Sequence, residues 1–114
     1  MKISEIKSLL NAKVLSGEEN LDNDVLAACG SDMMSDVLAY VKDQALLLTG
    51  LVNEQVIRTA AMMDMKCVAL VRSKVPTAEM IELAKANGIV IMTTDFRLYE
   101  ACGILYSNGL IGKK

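Results

Sequence analysis

The chain has 114 residues, a formal net charge of −2 from 14 acidic and 12 basic side chains, 53% apolar residues and 4% aromatic ones. Charges of both signs are interspersed without long blocks, so neither a phosphate-tracking basic patch nor a base-stacking aromatic platform is present and nucleic acid is not an expected partner. The apolar share and the mean hydropathy of +0.34 are high for a chain of this size, because a small domain has much surface to cover with polar groups. Some apolar surface is therefore expected to lie against another molecule.

The length suits one domain spanning residues 1–114. No apolar run approaches the ~20 residues of a membrane span. Residues 1–10 (MKISEIKSLL) mix charges into a helical pattern instead of forming a signal peptide's apolar core, so a cytoplasmic protein with no membrane partner is expected.

In chain order, Ile3, Ile6, Leu9 and Leu10 recur at helical spacing and predict a first amphipathic helix. KVLS at 13–16 reads as a small strand, and GEENLDND at 17–24 as a polar surface loop. Four continuous apolar runs follow: VLAAC at 25–29, ALLL at 45–48, CVALV at 67–71 and IVIM at 89–92. Between them the period changes to that of a helix, with Met34, Val37, Leu38 and Val41, then Val56, Ile57, Ala60 and Ala61, then Met80, Ile81 and Ala84; a last helix carries Leu98, Cys102 and Leu105. Buried strands alternating with amphipathic helices predict an α/β fold: a single three-layer domain whose mostly parallel sheet of about four to five strands has helices on both faces.

Each run ends in residues that stop a strand and cap a helix: Gly30-Ser31-Asp32, Thr49-Gly50 with Asn53, Thr77 after Pro76, and Thr93-Thr94-Asp95. Asn87-Gly88 closes the helix before the last run. Ligands of open parallel sheets bind beyond the carboxyl ends of the strands, where helix N-termini offer unpaired N–H groups. Gly30, Ser31, Thr49, Gly50, Asn53, Arg72, Thr93 and Thr94 are accordingly the candidate ligand-binding residues, with Arg72 the cation placed immediately after a strand. The competing reading is that the hydroxyls are helix caps and the glycines serve tight turns. Neither GxxxxGK[ST] nor GxGxxG occurs.

The chain has no histidine and no CxxC, and Cys29, Cys67 and Cys102 stand far apart among apolar neighbours, which predicts reduced thiols without metal or other cofactor. Asp32, Asp36 and Asp95 are acid candidates by position alone. No nucleophile–base pair is visible, so no catalytic residues are assigned and no enzymatic activity is expected. Met62 and Met63 cannot share one narrow helix face with Ala60 and Ala61, which makes them interface candidates. Phe96, Tyr99 and Tyr106 of the last helix form a second candidate surface. A homodimer is the expected assembly, with another protein or a phosphorylated small molecule as further candidate partners.

The order of elements, together with the stretches 28–41 (ACGSDMMSDVLAYV) and 46–106 (LLLTGLVNEQ to LYEACGILY), resembles the DRTGG domain family. The likeness runs from the first helix to about Leu110. Domains of this kind occur alone, in bacterial phosphotransacetylases, and between CBS modules of regulated pyrophosphatases, and are related to the amino-terminal domain of HPr kinase. The resemblance implies a regulatory or interaction domain without catalytic machinery, commonly dimeric. It is incomplete at the two motifs that name the family. Where members carry Gly-Asp-Arg after the second main strand this chain reads Thr49-Gly50-Leu51-Val52-Asn53, and where they carry Thr-Gly-Gly after the third it reads Val71-Arg72-Ser73-Lys74.

Overall fold

A computed structural model describes residues 1–40 and 44–111. Its elements run in the order α1 (Ile3–Leu9), β1 (Lys13–Ser16), a 3-10 turn (Glu18–Asn20), β2 (Ala27–Gly30), α2 (Met34–Tyr40), β3 (Ala45–Thr49), α3 (Glu54–Met62), β4 (Cys67–Leu70), α4 (Ala78–Asn87), β5 (Val90–Thr93) and α5 (Leu98–Ser107). The sheet has five strands in the order β1-β5-β4-β3-β2. β2 to β5 are parallel, and β1 joins β5 antiparallel with a bulge between Val14 and Ser16.

The topology follows from handedness. Each step from β2 to β5 moves to the next strand in one direction, and right-handed crossovers then place α2, α3 and α4 on one face. Alternation along the strands fills both faces. Leu46, Leu48, Cys67, Ala69, Val90 and Met92 pack with Ile3 and Ile6 of α1 and Ala101 and Leu105 of α5. Leu47, Val68, Leu70 and Ile91 pack with Val37, Val56, Ile57, Ala60 and Met80 from the three crossover helices.

Local signals explain the element ends. Gly88 closes α4 at φ 66°, a left-handed cap that glycine adopts without strain. Polar residues 17–24 do more than loop: Ile3 N–H donates to the Asn23 carbonyl at 3.0 Å and Ser4 N–H to that of Leu21 at 2.9 Å. These bonds satisfy first-turn donors of α1, whose N-cap Lys2 has no side-chain acceptor to offer.

Three sequence expectations shift. The run at 25–29 enters the sheet two residues late, because Val25 exchanges backbone bonds with Met1 (Val25 N to Met1 O, 2.8 Å) before β2 begins. Leu38 is 40% exposed, leaving Met34 and Val37 as the buried stripe of α2, while Val41 lies outside the described residues. The methionines divide: Met65 is buried, Met63 is half-buried at the end of α3, and Met62 is 70% exposed. Among the described residues no helix is long and apolar enough to cross a membrane.

Candidate functional site

Gly30, Thr49 and Thr93 end β2, β3 and β5, and Arg72 and Ser73 follow β4, so these junctions share the carboxyl edge of the sheet. They form two clusters there.

The first is organised by Asp32. Its Oδ1 accepts from the Gly50 N–H at 2.7 Å and from the Thr49 hydroxyl at 3.0 Å, and the Arg72 guanidinium lies 3.5 Å from Oδ2. The Gly50 amide above all, with the Thr49 hydroxyl, Arg72 and Lys74, holds the carboxyl below its ordinary range against a smaller opposing effect of burial. Thr49 is fully buried and its hydroxyl oxygen in turn accepts from Leu51 N–H at 3.1 Å. Arg72 passes close over Gly50. A Cβ built at position 50 would overlap the guanidinium, 2.8 Å from Cζ, so a larger residue there would push the flexible Arg72 side chain out of its present path toward Asp32.

The second cluster lies where chain connections diverge: β4 leads to α4 on one face and β5 to α5 on the other. Such a switch point is the usual ligand crevice of an open sheet. Here the two turns bond to each other. Arg72 N–H donates to the Phe96 carbonyl at 2.8 Å and Ser73 N–H to that of Thr94 at 3.0 Å. The Ser73 hydroxyl donates to Asp95 at 2.7 Å, and that of Thr93 to the Lys74 carbonyl at 2.6 Å. Thr94 is buried, donating to the Leu10 carbonyl at 2.7 Å. Arg72 and Ser73 adopt left-handed φ of 59° and 60°. The stretch lacking the glycines of the Thr-Gly-Gly motif thus still takes a conformation that glycine adopts most easily.

Of the candidate ligand residues, Thr49, Gly50 and Arg72 converge on Asp32. Ser31 instead accepts from Met33 N–H at 3.0 Å. Asn53 precedes α3 without a side-chain cap bond. Gly30 sits under α5, where an added Cβ would come 2.6 Å from the Cys102 Sγ. Asp32 was legible only as an acid after a strand; nothing in the sequence shows that it reaches a residue 17 positions on.

Burial pushes the thiols of Cys29, Cys67 and Cys102 up, the wrong direction for a nucleophile. Cys29 packs with the crossover-helix core and Cys102 with the opposite one. Among the described residues no cluster of three His, Cys, Asp or Glu side chains is placed to hold a metal.

A β-α architecture with a five-stranded, mostly parallel sheet defines the class, and sequence comparison defines the family. The chain belongs to the DRTGG domain family, whose sequence model matches residues 5–107. In fold it is similar to the CBS and DRTGG domains of the regulatory region of Clostridium perfringens pyrophosphatase, solved in complex with its activator diadenosine tetraphosphate. The TM-score is 0.73 at 18% identity, over 91% of this chain and 45% of that one, so this chain spans less than half of its neighbour's length. No curated protein matches the sequence.

Proposed function

We propose that the chain is a non-catalytic regulatory domain that works by association, as a homodimer joined through the outer face of α5. One observation carries this reading: three of the chain's four aromatic residues are on or beside α5 and exposed. Tyr99 is 87% exposed, Tyr106 64% and Phe96 38%. With Cys102 and Gly103 they border a shallow apolar depression of about 620 Å³. Large aromatic surface left in water is unfavourable, and aromatics concentrate in interface cores.

A second copy is the fitting occupant. The positions 99, 103 and 106 repeat at helical spacing, with Gly103 giving the close approach that a crossing helix needs. A twofold axis requires one self-complementary patch only. Met62 belongs to the opposite helix layer and is not continuous with this stripe. Light scattering at ~100 µM should give the mass of two chains, since an interface with a micromolar dissociation constant is mostly filled there. Tyr99→Lys with Tyr106→Lys should give the mass of one. A wild-type mass of one chain rejects association, whereas a dimer unchanged by the two lysines rejects α5 as its interface.

A second reading has its own support. The regulatory region of similar fold is a complex with a dinucleoside polyphosphate, and Arg72, with its side chain 47% exposed, retains capacity for an anion beyond Asp32. On this reading a nucleotide or phosphorylated metabolite binds at the carboxyl edge around Thr49, Gly50 and Arg72. Asp32 weighs against it, because this internal carboxylate already takes the amide, hydroxyl and guanidinium that a phosphate would use. A panel of such compounds, each at ~100 times its dissociation constant, should raise stability by about 2.7 kcal/mol for a true ligand, and Arg72→Ala should abolish that rise.

A further inference from the structure

The two edges of the sheet are built differently. Along β1 the outer edge carries Lys13 and the bulge between Val14 and Ser16. A lysine and a bulge are two of the devices by which natural sheets prevent another strand from adding. The opposite edge, β2, has neither. Its sequence Ala27-Ala28-Cys29-Gly30 is small, regular and uncharged, and its register with β3 runs unbroken over all four residues. Among the described residues no strand pairs with its other side. The antiparallel bridge of Lys2 with Asp24 ends just upstream of it.

The surroundings of this edge are apolar on both layers. Leu26, immediately before the strand, is 66% exposed, and Met33, at the entry to α2, is 61% exposed. On the layer of α5, Cys102, Leu105 and Tyr106 border a cavity of about 220 Å³ together with Ala28, Cys29 and Gly30. Cys102 and Tyr106 also border the larger depression on α5. The strand edge and the outer face of α5 are therefore one continuous surface.

We infer that β2 pairs antiparallel with β2 of a second copy, joining two five-stranded sheets into one of ten strands. This rests on the association reading above and narrows its contact on α5 to the flank beside β2, formed by Cys102 and Tyr106, instead of the whole outer face. Backbone N–H and C=O groups along an open edge ask for another strand, and the one strand certain to share this edge's length and small side chains is its own copy. The twofold axis of such a pair stands perpendicular to the sheet. It brings α5 beside its copy on one layer and the entry to α2 beside its copy on the other, so Tyr106 and Met33 are covered by the same operation that pairs the strands. A stable pair buries ~800 Å² per partner, and one side of a molecule measuring 33 × 28 × 24 Å offers area of that order.

Backbone amide exchange over residues 26–31, read at concentrations from below to well above the dissociation constant, tests the strand pairing separately from association. In the dimer the outward-pointing amides of Ala27–Gly30 should exchange at least about tenfold more slowly than in the monomer. Leu26→Lys should raise the dissociation constant at least about tenfold while leaving the fold intact, since the side chain is exposed. A dimer whose β2 amides exchange as fast as the monomer's, or one indifferent to Leu26→Lys, overturns the pairing and leaves association standing. A chain that stays monomeric overturns both.

Discussion

Asp32 decides what the carboxyl edge can do at the scale of single residues. It collects three groups of the kind that grip a phosphate, and its removal exposes their need for an anion. In Asp32→Ala the Gly50 N–H and the buried Thr49 hydroxyl lose their acceptor, which should cost about 1–3 kcal/mol. The pH dependence has a definite sign. Because the folded carboxyl titrates below its ordinary value of 3.8, its contribution is complete above that value and is lost as pH falls through the lowered folded one. Denaturant unfolding should therefore show wild type and Asp32→Ala well separated at pH 7 and converging toward pH 2. An equal gap at both would mean that the carboxylate's charge has no part in holding the turn. None of this was legible from the residue's neighbours. The sequence places Thr49, Gly50 and Arg72 at strand ends correctly, yet which of them meet depends on how far Asp32 reaches back and on the absence of a Cβ at position 50.

At the scale of elements the sequence speaks more plainly, because alternation and helical period are set by which side chains must be buried. Among the described residues, the five strands and five helices lie within a few residues of the apolar runs that predict them. Displacements have local causes, such as the backbone exchange of Val25 with Met1. Capping residues are less readable. Asn53 and Thr77 carry the same start signal, and both have extended backbones. Thr77 Oγ1 accepts from Met80 N–H at 3.1 Å, whereas at the start of α3 the Val56 N–H turns to the backbone carbonyl of Asn53 at 3.2 Å and leaves the side chain out. Thr77→Ala should thus destabilise the protein by about 1 kcal/mol, and Asn53→Ala by no more than about 0.5 kcal/mol. Thermal unfolding of the two variants checks this, and equal losses would contradict the difference in capping.

For the whole molecule, the apolar excess in the composition announces hidden surface without locating it. Sequence alone offers Met62 and Met63 at the end of α3 first and the aromatics of the last helix as the other candidate surface. Exposure alone does not separate them, since Met63 is half-buried but Met62, at 70%, is exposed like Tyr99 and Tyr106; what distinguishes α5 is its place, with Tyr106 bordering the unprotected edge of β2. If two copies cover that surface, the folded state is stabilised by mass action and stability must depend on protein concentration. For a dimer that dissociates to folded chains, each tenfold rise above the dissociation constant stabilises each chain by half of the 1.4 kcal/mol that a tenfold change represents, about 0.7 kcal/mol. In a domain of this length that should raise the midpoint of thermal unfolding by about 3 °C per decade of concentration. Tyr99→Lys with Tyr106→Lys should abolish the dependence and bring the wild-type midpoint at low concentration and the variant's close together. A wild-type midpoint constant from 1 to 100 µM, with the mass of one chain throughout, would place the apolar surface against a different partner.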